Sequence, residues 1–153
     1  MDSRSRQSGL RCGRVSIPGQ VYLVTTATRD RRPVFRDFRA ACAAARCFDQ
    51  ARLLGNARML AWVLMPDHAH WLLQLNEDET LDAVVLRLKG ASARSANQVL
   101  GRTGSLWQPA YHDRALRKDE HVITAARYLV ANPIRAGLVH SLGDYPYWNA
   151  VWL

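Results

Sequence analysis

The chain has 153 residues, the length of about one domain, and is large enough to bury a core without disulfide or metal staples. Hydrophobic residues make up 48% and charged residues 22%, which excludes a disordered chain, and no run approaches the roughly 18 apolar residues of a membrane span. With 21 Lys+Arg against 13 Asp+Glu, the formal charge is +8 and the pI about 10.1, the balance of a protein that meets a polyanion.

In chain order, the first 36 residues come first: eight arginines against Asp2 and Asp30, which place +6 of the net charge there. Such a segment reads as a nucleic-acid arm more readily than as a solvated face. Apart from Lys89 and Lys118 every basic residue is an arginine, a choice that suits bidentate phosphate contacts, although GC-rich coding produces the same excess. The opening "MDSRSRQSGLRCGR" has no apolar region of a secretory signal. Cys12, Cys42 and Cys47 form no CxxC pair and are odd in number, so reduced thiols in a cytoplasmic, nucleoid-associated protein are expected.

After the turn signal "IPGQ", "VYLVTTAT" is β-branched and aromatic enough for a strand, and "RDRRP" breaks it. "FRDFRAACAAARCFDQARLLG" predicts one helix with a glycine stop. "ARMLAWVLMP" and "HAHWLLQL" read as two strands hinged at "MPDH", followed by a helix over "TLDAVVLRLKGASARSANQVL" that Thr80 would cap. "GRTGSLWQP" is loop, "YHDRALR" a strand, and "KDEHVITAARYLVAN" a third long helix ended near Pro133. The aromatic carboxyl end, "DYPYWNAVWL", is assigned to packing on the domain.

The order β-α-β-β-α-β-α predicts an α+β, ferredoxin-like fold: a split βαβ, RRM-like antiparallel sheet with two helices on one face and an additional C-terminal helix. One domain is expected, with a basic arm over 1–16, a core over 17–148 and a tail over 149–153. Part of the sheet's other face stays free, the surface with which an RRM binds single strands, though fold alone licenses no function.

Chemistry concentrates in "MPDHAHWLLQL". Strand alternation puts His68, His70, Leu72 and Gln74 on one face and Ala69, Trp71, Leu73 and Leu75 on the other, so two imidazoles about 7 Å apart along the strand converge on one metal ion or are simply solvated. In "ARYLVANP", Tyr128 and Asn132 are four apart and share a helix face, where an amide oxygen is a reasonable hard ligand. Spacing alone leaves Asn132 open as the N-cap of a short helix, "PIRAGLV", and Tyr128 open as a half-buried aromatic.

"GRVSIPGQVYLVTTATRDRRPVF", "VLMPDHAHWLLQL", "LWQPAYHDRALR" and "ARYLVANPIRAGLV", in this order, resemble the REP-associated tyrosine transposases. These are domesticated relatives of single-tyrosine transposases with a His-hydrophobic-His (HUH) motif, named for the repetitive extragenic palindromes they accompany in bacteria. The resemblance runs from about Leu10 to Trp148. It implies that His68 and His70 hold a divalent cation, Mg²⁺ or Mn²⁺, that Tyr128 is the nucleophile, and that Asn132 completes the metal site. Leu23 stands where a His often follows the first strand's Tyr, and Cys12 where a further basic residue is expected, which puts the arm's detailed DNA contacts in doubt.

The implied activity is transposase-like nicking and joining of single-stranded DNA at a hairpin. A phenol with a pKa near ~10 leaves about one molecule in a thousand ionised at neutral pH, so a cation that polarises the phosphate is needed. Candidate phosphate and base contacts are Arg11, Arg14, Arg29, Arg31 and Arg32, with Lys89, Arg94, Arg114 and Arg117 further on. Trp107 either stacks on a base or packs on the core, and Tyr111 of "YHDR" is the rival nucleophile. A monomer is expected. The competing readings are a non-catalytic hairpin DNA- or RNA-binding module of RRM-like shape, and a metal-dependent hydrolase that uses water.

Overall fold

In a computed structural model, residues 19–117 and 119–152 are described, so Arg11, Arg14 and Cys12 of the arm lie outside the described residues. The strands are β1 (Val21–Ala27), β2 (Arg58–Met65), β3 (His68–Gln74), β4 (His112–Ala115) and β5 (Trp148–Ala150). The helices are α1 (Phe38–Ala45), α2 (Ala51–Leu54), α3 (Leu81–Leu100), α4 (Val122–Val130) and α5 (Asn132–Arg135). The five strands form one antiparallel sheet in the order β4-β1-β3-β2-β5. Its first four strands have the ferredoxin-like order, with β5 added beside β2.

Alternation in β1 and β3 sends Tyr22, Val24, Ala69, Trp71 and Leu73 to one face, where they meet Ala40, Ala41 and Ala44 of α1 and Val84, Val85 and Leu88 of α3. Small side chains on α1 let it lie close to α3 over the sheet. Thr80 caps α3 as expected, its hydroxyl accepting from the Ala83 N–H at 3.2 Å.

The single helix expected over "FRDFRAACAAARCFDQARLLG" is instead two pieces. Asp37 caps the first by accepting from the Ala40 N–H at 3.0 Å, and the break follows Ala45. In that break Phe48 sits edge-on to Trp62 and Trp71, at 5.3 and 5.2 Å between ring centroids. Next to it Asp49 accepts from Trp62 Nε1 at 2.8 Å. Packing against the sheet overrides the helical preference of the segment.

The other face is more covered than expected. Ala126, Leu129 and Val130 of α4 pack with Ala61, Val63 and Leu72, and the carboxyl end joins them. The Tyr145 hydroxyl donates to the Leu64 carbonyl, and Trp148–Ala150 pairs with β2. Residue 148, the expected end of the core, therefore opens a strand that runs into the expected tail. Asn132 does not cap a following helix: Ala131, with φ −78° and ψ −1°, precedes a segment in which Asn132 is already helical.

Candidate active site

β3 lies between β1 and β2, and register determines what surrounds its two imidazoles. His68 stands opposite Ala27 and Met65, and His70 opposite Thr25 and Val63. Direct cross-strand partners share a face, so these six residues form one patch on the side away from α1 and α3. One strand further, His112 stands opposite Thr25. The two imidazole centroids are 4.8 Å apart with planes at 83°.

Each ring is held by its Nδ1. The turn between β2 and β3 is Pro66 and Asp67, fixed by the Phe35 N–H donating to the Pro66 carbonyl at 3.0 Å and the Thr28 N–H donating to the Asp67 carbonyl at 2.9 Å. This places the Asp67 carboxylate 2.7 Å from His68 Nδ1, while its other oxygen accepts from Arg31 Nε at 3.1 Å. Arg31 reaches there from a loop in which Asp30 and Arg31 have φ of 56° and 55°, a left-handed conformation that costs non-glycine residues about 1–3 kcal/mol each. Burial pushes the Asp67 carboxyl up, but the His68 hydrogen bond and the Arg31 charge outweigh it and hold the pKa below the ordinary value. His70 Nδ1 lies 2.8 Å from Thr25 Oγ1.

Burial, followed by the charges of His68, Arg135 and Arg31, holds the His70 pKa down to about 4. That ring is neutral at physiological pH, the form that ligates metals. A carboxylate only accepts, so His68 Nδ1 carries a proton, and in the neutral ring the lone pair is on Nε2. Neither Nε2 has a hydrogen-bond partner among the described residues. This donor set fits a divalent cation held by two imidazoles. Among the described residues no three His, Cys, Asp or Glu gather at one point.

Tyr128 is 66% exposed on α4, whose Ala126, Leu129 and Val130 face the sheet. The other four tyrosines are occupied. Tyr22 and Tyr111 are buried, with the Tyr111 hydroxyl donating to Asp82; Tyr145 donates to Leu64; Tyr147 is half-buried against Tyr145. Tyr111 is thereby removed as a rival nucleophile. Asn132 is half-buried one turn beyond Tyr128, and Arg135 lays its guanidinium over the Tyr128 ring at 3.7 Å from the centroid.

The candidate DNA contacts separate by place. Arg29, Arg31 and Arg32 are exposed in the loop that follows β1, at the imidazole end of the sheet. Arg114 and Arg117 are exposed but share Glu120, at 2.7 and 3.4 Å. Lys89 and Arg94 are on α3, which covers the opposite face, and Lys89 Nζ donates to the Gln108 carbonyl at 2.6 Å. Trp107 is buried, with Nε1 donating to Ser92 Oγ at 3.0 Å and its ring 5.3 Å from Phe35, so it packs and does not stack on a base. Sequence reasoning missed Thr25, Asp67 and Arg135; the adjacent "DH" and the seven-residue step from Tyr128 to Arg135 were the available signals.

Residues 18–132 match the family described as IS200-like transposases, and the chain belongs to that family. Within it, the chain resembles REP-associated tyrosine transposases. It is 28% identical over 98 residues to a Haemophilus influenzae (strain Rd) protein assigned to that group, covering 58% of this chain and 56% of the relative. It is 25% identical over 88 residues to the REP-associated tyrosine transposase of Escherichia coli K12, covering 57% and 50%. The matches span about half the length of these relatives. A REP-associated tyrosine transposase solved bound to a REP hairpin superposes with a TM-score of 0.67 at 22% identity, covering 88% of this chain and 79% of that one.

Proposed function

We propose that the chain is a metal-dependent endonuclease and strand transferase for single-stranded DNA, acting beside REP-type hairpins through a 5′-phosphotyrosine intermediate. One observation carries the reading: Tyr128 is the only exposed tyrosine of five, and the guanidinium stacked on it is within electrostatic reach of His70. The hairpin partner is supported by the solved relative that holds one.

His68 and His70 would hold Mg²⁺ or Mn²⁺ through Nε2, with the Asn132 amide oxygen completing the set. When bound, the ion polarises the scissile phosphate and stabilises transition-state charge. Asp67 and Thr25 keep the two rings oriented with Nε2 outward. Tyr128 Oη attacks phosphorus in line; its bond to phosphorus forms as the bond to the 3′ oxygen breaks. The phenol proton goes to solvent, and the leaving oxygen takes one up as a 3′-OH. The 5′ phosphate stays as an ester of Tyr128, so a 3′-OH can reverse the attack and rejoin the strand without ATP. Arg29, Arg31 and Arg32, with Arg11 and Arg14 of the arm, would track the backbone of a single strand lying across the open end of the sheet. We read the chain as acting as a monomer, on cytoplasmic DNA.

The test is a labelled single-stranded hairpin oligonucleotide with the full chain. A denaturation-resistant adduct should form with Mg²⁺ or Mn²⁺, vanish in EDTA, and be absent from Tyr128→Phe, which still binds the oligonucleotide. Cleavage that persists in Tyr128→Phe would establish the water-using hydrolase instead. Binding without cleavage by the native protein would establish the non-catalytic module.

A further inference from the structure

Beyond α4, Pro133 has no N–H to continue the ladder, and the chain turns into the short segment Asn132–Arg135. Arg135, seven residues after Tyr128, folds back over it in two ways. Its Nη1 donates to the Tyr128 carbonyl at 2.6 Å, and its Cζ lies 3.7 Å from the centre of the Tyr128 ring. One end of the guanidinium is thus anchored to backbone while its plane covers the aromatic face.

An exposed tyrosine on a helix surface is otherwise free to exchange rotamers. In-line attack requires the phenol oxygen at one place, and a misplacement of about 1 Å can cost ~100-fold in rate. A planar guanidinium fixed by a backbone hydrogen bond restricts the ring to one orientation. Among the described residues the guanidinium stacked on Tyr128 is that of Arg135 and not of the adjacent Arg127, so the basic residue at the seven-residue step carries the geometry.

We propose that Arg135 is the positioning residue of Tyr128, holding the phenol in its attack orientation in both cleavage and rejoining. The proposal rests on Tyr128 being the nucleophile. Both directions pass through one transition state, so loss of Arg135 should slow cleavage and rejoining alike.

Single-turnover adduct formation on a labelled hairpin oligonucleotide tests it, with native protein, Arg135→Ala, Arg135→Lys and Tyr128→Phe compared at equal saturation. For Arg135→Ala the rate of adduct formation and of rejoining should each fall by at least ~10-fold, with oligonucleotide affinity and thermal midpoint unchanged within about twofold and a degree or so. Added ethylguanidinium should recover several-fold of the rate in Arg135→Ala and none in Tyr128→Phe. Arg135→Lys, which keeps the charge and loses the plane, should fall between. A native rate in Arg135→Ala overturns the proposal, and so does a rate loss matched by an equal loss of affinity, which would make Arg135 a DNA contact only. Absence of adduct from the native protein removes the nucleophile itself and the proposal with it; adduct from the native protein and an equal amount from Arg135→Ala removes the proposal alone.

Discussion

Replacing Asp67 with asparagine separates the shape of the imidazole site from its electronic state. The native carboxylate accepts on both oxygens, from His68 Nδ1 at 2.7 Å and from Arg31 Nε at 3.1 Å, so the neutral His68 ring has its lone pair on Nε2. An amide of the same shape has one acceptor and one donor. Arg31 only donates, so it draws the amide oxygen to itself and turns the NH₂ toward His68; the imidazole then carries its proton on Nε2 and no longer ligates. Turning the amide back sacrifices the Arg31 contact. With the Arg31 side chain 56% exposed, that contact is worth about 0.2–1 kcal/mol, a factor of roughly five at most. Loss of the carboxylate charge supplies the rest of the ~10–100-fold by which changes to a ligand's outer partner weaken metal binding. Calorimetric titration with Mn²⁺ should show that weakening for Asp67→Asn. Arg31→Leu added to it should restore up to about fivefold, more than Arg31→Leu alone changes the native protein, because the amide is then free to rotate. Native affinity in Asp67→Asn, or a double variant weaker than the single one, would refute the tautomer argument.

Three further outcomes follow from the same structure. Tyr145→Phe strands the buried Leu64 carbonyl and should cost about 1–3 kcal/mol, lowering the calorimetric Tm by on the order of 2–12 °C, whereas Tyr128→Phe should shift stability by less than about 0.5 kcal/mol. Trp107→Ala should destabilise by roughly 3–5 kcal/mol in urea titration, and a milder Trp107→Phe should leave the folded protein's affinity for single-stranded DNA intact; lost affinity at unchanged stability would return this indole to the DNA surface. Arg29→Ala and Arg32→Ala should each flatten the salt dependence of binding to single strands by a slope of about 0.7, while Arg94→Ala, on the covered face, should not.

The fold was legible where local signals agreed with packing. Alternation in "HAHWLLQL" separates Trp71 and Leu73 from the imidazoles as the sheet does, and Thr80 caps where a threonine before an apolar-periodic run should. It was not legible where a residue answers to a distant partner. Nothing near Phe48 and Asp49 announces that two tryptophans from later strands will pull that stretch out of a helix. The strand Trp148–Ala150 has aromatic composition but exists only because the β2 edge is there to pair with. The candidate site divides along the same line. His68 and His70 declare themselves by spacing, whereas Arg31 reaches Asp67 across 36 residues through a left-handed loop conformation that Asp30 tolerates but an arginine does not favour.

The two halves of the site are built to different mechanical standards, and this explains where control must be exercised. The imidazoles ride on β3, paired on both sides and backed by a close-packed tryptophan layer, so their positions are fixed by the sheet itself. Tyr128 rides on a nine-residue helix held by Ala126, Leu129 and Val130, with Val122 and Ala125 packed beside them, while its own side chain is exposed. A helix of that length has little stability without its tertiary contacts. The phenol is therefore the component whose placement the sheet does not determine, and orientation must be added locally. That is where the structure sets a guanidinium against the ring, tied to the backbone of the residue it covers.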